Sequence, residues 1–183
     1  RRAVIQRAGH SNMVAMAHKT PSATDPDMPA LFMLAFILGA GKTSRLYRAL
    51  IDTALATDIS TTCYQFRDPS LLISYITLAP RTRHEAMEKR LKQEFQKIIS
   101  KGVTVQELTQ AKRFLRAYVA SRRDGPYALL ESLNEEIATG DWTRFVTLPQ
   151  ALMRVTAKEV QKVAKKYLVD DQSTVGYFIG TNA

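Results

Sequence analysis

The sequence predicts an α+β fold: a two-layer sandwich in which a mainly antiparallel sheet packs against helices. Three observations carry this. Strand-like and helix-like stretches fall into blocks, ββααββ, then a run of helices, then β, rather than alternating as a doubly wound sheet requires. Residues 31–38, LFMLAFIL, form the longest unbroken apolar run. They carry Leu, Met and Ala rather than β-branched residues, which favours a buried helix. Residues 71–78, LLISYITL, are almost all apolar and lie between Pro69 and Pro80. That is the pattern of a central strand covered on at least one face.

In chain order, 3–8 and 13–18 read as short strands joined by turn residues at 9–12, which predicts an opening hairpin. Residues 21–29 form a proline-rich loop in which Asp25 or Asp27 can cap the helix at 31–38. Gly39 and Gly41 stop that helix. Thr43 or Ser44 can cap a second one, 45–53. Residues 56–66 and 71–78 then pair as strands around the turn Arg67-Asp68-Pro69-Ser70. A long amphipathic helix follows at 82–100 and ends at Gly102. Thr104-Val105-Gln106-Glu107 is a capping box, with the Thr hydroxyl on the N3 amide and the Glu reaching back. It opens a helix to Arg123. Residues 127–139 form another helix, 142–148 a connection and 149–154 a short helix. A second capping box, Thr156 to Glu159, opens the helix 157–168, and 173–179 is the closing strand.

A length of 183 residues supports one domain with a real core. The chain reads as a single domain, 1–183, cut from a longer protein: it opens on Arg1-Arg2 without an initiator Met. The formal net charge of +9 permits nucleic acid, anionic membrane or acidic polypeptide as partners and demonstrates none. No apolar run reaches the ~18 residues of a membrane span. No signal-peptide core follows Arg1, and the compartment stays open, with a bacterial envelope or an organelle both compatible. Cys63 is the single cysteine, which excludes an internal disulfide. It is expected to be half-buried.

Candidate chemistry is sparse. Gly39-Ala40-Gly41-Lys42-Thr43-Ser44 ends like a phosphate-binding loop, but the Gly that the motif needs further upstream is Phe36, and a helix precedes it rather than a strand. His10, His18 and His84 lack the spacing of a zinc motif and read as surface or turn residues. No nucleophile elbow exists. Glu131, Glu135 and Glu136 read as a solvated helix face. The Lys and Arg residues alternate with apolar stripes on helices, and the aromatics occupy apolar positions, unlike an exposed nucleic-acid platform.

Residues 34–50, LAFILGAGKTSRLYRAL, resemble the second-half domain of the pitrilysin/insulinase/mitochondrial-processing-peptidase family of inverted zincins. There an apolar helix ends in a Leu-Gly-x-Gly bend followed by Ser-Arg-Leu and a second helix. Further blocks match in order. His18-Lys19-Thr20-Pro21 resembles a strand ending in proline. Gly102 with Thr104, Glu107-Leu108 and Ala111-Lys112 resembles a helix start, and Thr156 to Val160 with Tyr167-Leu168 the final helix.

The resemblance implies a processing-peptidase sandwich and a two-half enzyme that closes around an extended peptide. Zinc would sit in the other half, on His-x-x-Glu-His, which this chain lacks. No cofactor is therefore expected here, and no catalytic, cofactor-binding or metal-ligating residue is assigned. The implied partners are the catalytic half, in the same chain or a partner subunit, and a peptide. The full-length protein is expected to dimerise, without nucleic acid. Some members grip substrate with an Arg and, seven residues on, a Tyr. Those positions are Ile51 and Asp58, or Thr57 after a one-residue slip. The leading expectation is a non-catalytic half of a zinc metallopeptidase. Its alternatives are an inactive assembly subunit of the same family and a basic nucleic-acid-binding module.

Overall fold

Alternating burial along the strands fixes which side of the sheet meets the helices. The computed structural model describes residues 1–181. Its strands are β1 (Arg2–Ala8), β2 (Met13–Thr20), β3 (Ala56–Cys63), β4 (Ser70–Leu78) and β5 (Ser173–Thr181). They form one sheet in the order β1-β5-β2-β4-β3. Val14, Met16, His18 and Thr20 of β2 are buried, as are Leu72, Ser74, Ile76 and Leu78 of β4 and Val175 and Tyr177 of β5. The helices α1 (Met28–Gly39), α2 (His84–Lys101), α3 (Val105–Ser121), α4 (Gly125–Ala138), α5 (Arg144–Arg154) and α6 (Ala157–Tyr167) form the second layer on that side. The expected two-layer α+β class is what forms.

The expected opening hairpin does not form. β5 lies between β1 and β2, parallel to the first and antiparallel to the second. The register sets Met16 against Val175 and Val14 against Tyr177, all four buried. β1 is exposed along its whole length and has no comparable apolar face to offer β2. The crossing is tight: a Cβ at Gly180 would run into the Gly9 and Ser11 carbonyl oxygens.

Helix α1 has eight of its twelve residues buried and packs against β3, β4, α3, α5 and α6. Each such Leu, Ile or Met contributes about 1.5–3 kcal/mol by leaving water. Asp27 holds the N-cap position without making the capping bond. Its carboxylate accepts instead from Lys166 Nζ at 2.6 Å and Tyr167 OH at 3.1 Å, while Asp25 takes the Asp27 amide at 2.8 Å. Lys166 holds the Asp27 carboxyl below its ordinary range.

Several boundaries differ from expectation, each for a physical reason. The second helix is short and closes as a π-helical turn, Tyr47–Ile51, because the Asp52 and Leu55 amides reach back five residues, to Tyr47 and Leu50. The Ser44 hydroxyl is buried and caps nothing, with no hydrogen-bond partner among the described residues. β3 stops at Cys63, and Tyr64 stacks on Phe66 outside it. Cys63 is fully buried rather than half-buried, and burial pushes its thiol up to about 12. Helix α5 starts at Arg144 and runs through Pro149, where a connection ending at 148 was expected. Proline lacks the amide that would bond to the Phe145 carbonyl. The Arg123 guanidinium supplies that hydrogen bond, its carbon 4.6 Å from the Phe145 ring centroid.

Both capping boxes form as read from the sequence. Thr156 Oγ1 accepts from the Glu159 amide at 3.3 Å, and Glu159 accepts from the Thr156 amide at 2.7 Å. Thr156→Ala is expected to lower unfolding free energy by about 1 kcal/mol. The urea midpoint should fall with an unchanged slope, and an unmoved midpoint would show that the cap contributes nothing.

Candidate functional site

The stretch running from α1 into the π-helical turn is built for packing. A Cβ at Gly39 would stand 2.7 Å from Thr61 Cβ and 2.9 Å from the Thr61 backbone nitrogen. Gly41 has φ +74°, and a Cβ there would press on the Phe114 ring at 2.7 Å. The glycines therefore allow close approach and a left-handed turn. A helix precedes them, so no strand-loop-helix phosphate cradle exists at this bend.

The Ser-Arg-Leu block is explained by the same packing. Ser44 is buried beneath the turn and Leu46 is fully buried in the core. Arg45 reaches across the chain to Glu107, with Nε to Oε1 at 2.8 Å and Nη2 to Oε2 at 2.7 Å. Such a two-pronged guanidinium–carboxylate bond is the strongest form of the pair. Glu107 Oε2 also accepts the Thr104 amide at 2.8 Å. The two blocks that carry the family resemblance, 62 positions apart at Arg45 and Glu107, thus meet in one polar joint beside the α1 C-terminus.

The residues that the sequence singled out lie apart from one another. Ile51 is half-buried against the core, and Thr57 and Asp58 are exposed around a register shift in β3. The histidines lie apart. His10 is exposed in its turn. His84 Nε2 lies 2.9 Å from the Phe178 carbonyl oxygen, to which it donates. His18 is buried, contrary to the surface position expected of it, because its side of β2 faces the helices. It meets the Phe95 ring edge-on at 5.4 Å, and burial lowers its pKa to about 4. Among the described residues no three His, Cys, Asp or Glu side chains come together as a metal site. No helix among them is long and apolar enough to cross a membrane.

Two further expectations change. Glu135 and Glu136 are not simply solvated: Glu135 pairs with Arg122, and Glu136 accepts from Arg144 Nε at 2.9 Å. Arg144 is buried and also binds Gln65 at 2.6 Å and the Ala23 carbonyl. Nothing in the sequence marked Arg144, which falls where a connection was expected. Several aromatics are exposed rather than buried, chiefly Tyr127, Trp142 and Phe66.

Two surfaces remain for recognition. The first is the sheet face turned away from the helices. Register places Ala3, Gly176, Ala15, Tyr75 and Ser60 in one row across it. Ile5, Phe178, Met13, Thr77 and Asp58 form the next row. The middle of this face is apolar, low at Gly176 and Ala15 and walled by Ile5, Phe178 and Tyr75, while its β3 edge carries Ser60 and Asp58. Among the described residues no helix packs on it. The second is the outer side of α4 and the segment after it, where Tyr127 is 81% exposed, Leu130 57%, Ile137 55% and Trp142 61%.

The one-sided α+β sandwich carries the Leu-Gly-x-Gly and Ser-Arg-Leu bend that resembles the second-half domain of zinc metallopeptidases. Residues 1–115 match the model of the peptidase M16 inactive domain, and the chain belongs to that family. It is 26% identical over 176 residues to the zinc protease PqqE of Helicobacter pylori, covering 95% of this chain and 40% of that protein. The inactive peptidase domain of a protein classed as a zinc protease in Bordetella parapertussis superposes with a TM-score of 0.87 at 28% identity. There 98% of this chain covers 96% of the other. A protease structure from Helicobacter pylori has the same fold, with a TM-score of 0.91 at 24% identity over 97% of this chain and 43% of that one. The chain spans less than half the length of the Helicobacter protein it matches.

Burial alone would raise the Glu107 pKa, but the hydrogen bonds from Arg45 and the Thr104 amide hold it below its ordinary value. A carboxylate depressed by folding adds stability above its unfolded pKa, and that stability is lost as pH falls through the folded value. The stability gap between wild type and Glu107→Gln should therefore be full at neutral pH. It should shrink as pH falls below roughly 4.3. A gap that stays constant across urea titrations from neutral to acid pH would refute this account of the pair.

Proposed function

We propose that residues 1–183 are a single second-half domain of a longer zinc metallopeptidase. The domain forms one wall of the chamber in which an extended peptide is hydrolysed and supports the half that carries zinc. The uncovered apolar sheet face carries this reading. A face with a low centre and aromatic walls suits an unfolded segment lying across the strands, and burying such a face stabilises both surfaces. His10, His18 and His84 lie on separate elements and do not fit a zinc site, so this chain contributes positioning and exclusion of water while the metal chemistry belongs to the partner half. The exposed apolar side of α4 is the contact offered to that half. Relatives in which the matching domain is less than half of the chain support a covalently or non-covalently attached partner of similar size.

One alternative is an inactive assembly subunit of the same family. Ile51 and Asp58 stand, by spacing, where some members place the Arg and Tyr that grip substrate, so either a partner subunit supplies that grip or this half is purely structural. A partner half lacking His-x-x-Glu-His would select that alternative.

The decisive experiment is peptide cleavage with added zinc. This chain alone should be inactive, and activity should appear on adding its His-x-x-Glu-His half. Chelator-sensitive turnover by this chain alone would overturn the reading. Within the active pair, Ala15→Trp should fill the low centre of the sheet and lower kcat/KM for extended peptides by about tenfold or more. Its melting temperature should stay close to wild type. Ile137→Lys should instead weaken association of the halves by about tenfold, measured by titration calorimetry. If both variants behave as wild type, neither surface has the role proposed.

A further inference from the structure

Helix α4 is turned inside out. The side it presents to the rest of the chain carries Ala128, Ser132, Glu136 and, one residue past its end, Thr139, at helical spacing. These residues are small or polar, and the polar ones are satisfied within the chain. Ser132 Oγ donates to the Arg122 carbonyl at 2.8 Å, Glu136 accepts from Arg144 Nε at 2.9 Å, and Thr139 Oγ1 donates to the Glu136 carbonyl at 2.7 Å. The opposite side carries Tyr127, Leu130, Asn134 and Ile137, all turned to solvent. A surface helix ordinarily buries its apolar stripe and shows the polar one to water. Reversal of that order along a whole helix marks a face that another surface covers.

The two margins of the stripe differ. Leu129 and Leu133 follow one margin, and Glu131 and Glu135 follow the other. On the acidic margin, Tyr127, Leu130, Glu131, Asn134, Glu135 and Ala138 line a shallow depression of about 460 Å³. Glu135 is already held by Arg122, and the nearby Arg123 is spent on the Phe145 carbonyl. Glu131 is exposed and makes no ion pair among the described residues. Four residues before it, Tyr127 offers the face of a ring that is 81% exposed. Residues at i and i+4 lie side by side on a helix. One cation can therefore pair with Glu131 and rest on the Tyr127 ring at the same time. From Tyr127 to Ile137 the stripe is about 15 Å long at 1.5 Å per residue, which suits about three turns of a facing helix.

We propose that α4 docks a helix with an apolar face and a Lys or Arg on its margin. The cation lies over Tyr127 and pairs with Glu131, while the apolar side chains cover Leu130 and Ile137. A second copy's α4 does not qualify: Gly125–Ala138 holds no Lys or Arg, and it would bring another Glu131 to the contact. The proposal deepens the assignment of α4 to the zinc-bearing half. It rests on that reading for the source of the helix and not for the chemistry of the surface.

The test is calorimetric titration of the whole chain, with backbone ¹⁵N spectra, against three helical peptides that share one leucine face and carry Lys, Gln or Glu on its margin. The Lys peptide should bind saturably and shift the amides of α4. The Gln peptide should bind about tenfold more weakly, and the Glu peptide should not bind. Glu131→Gln should remove the advantage of the Lys peptide over the Gln peptide, and Glu131→Lys should transfer the preference to the Glu peptide. Tyr127→Leu keeps apolar area but loses the ring, and should weaken the Lys peptide about fivefold while leaving the Gln peptide unchanged. All three substitutions are at exposed positions, so melting temperatures should stay close to wild type. No saturable binding, equal binding of the Lys and Glu peptides, or amide shifts confined to other elements would each overturn the proposal. So would sedimentation showing that the chain pairs with its own copy through α4. Association with the zinc-bearing half that is lost in Ile137→Lys but unchanged in Glu131→Gln would keep the contact and overturn this account of it. The peptide preference without association of the halves would uphold the surface chemistry and remove the contact reading.

Discussion

A helix that is apolar on every side is the constraint on which the rest of the structure depends. Helix α1 has no polar face, so every direction around it must be filled by something apolar. β3 and β4 fill one side and α3, α5 and α6 the others. Because these neighbours come from both ends of the chain, the helical layer cannot be divided without opening α1 to water. Gly39 lets the sheet come close at Thr61, and Cys63 meets Met28 with its Sγ 3.7 Å from the methionine sulfur. The helices gather on one side of the sheet around α1, and among the described residues no helix covers the other side.

Around that helix, three arginines act as joints. Arg45 ties the bend after α1 to the start of α3. Arg144 ties α5 to α4 and to the Ala23 and Gln65 loops. Arg123 supplies the hydrogen bond that Pro149 cannot. A guanidinium suits this work because its donors are fixed in a plane and it stays charged when half-buried. Each joint connects stretches that apolar packing alone would allow to slide. This is how a sheet layer and a helix layer of modest size hold a defined relative position.

What was legible in the sequence was local. The capping boxes at Thr104 and Thr156 announce themselves within four residues, and α1 by its unbroken apolar run. Pairing over distance was not legible. The segments at 3–8 and 13–18 are separated by a turn, yet Val14 and Met16 take their neighbours from the far end of the chain. Pro149 reads as a helix boundary unless one knows that Arg123 folds onto the Phe145 carbonyl. His18 shows no sign of burial until the register of β2 sets it beside Phe95. The bend at 39–46 was recognisable as a family block, but its physical role rests on Glu107, which no spacing rule links to Arg45. The open sheet face was hidden for the same reason: it is a property of five strands in register and of no single strand.

The position of β5 governs the order in which the domain can be made. It is the last strand to be synthesised but lies second in the sheet, with Arg2 opposite Val175 and the Arg1 nitrogen donating to the Ser173 carbonyl at 2.9 Å. Until that strand has left the ribosome, β2 has only one neighbour and β1 has none. Helix and hairpin contacts around α1 can assemble during translation, whereas the sheet must wait for the end of this stretch of chain. Long-range pairing of this kind slows folding and prolongs the exposure of unpaired strands. This domain is then expected to need a chaperone most at the moment just before β5 emerges.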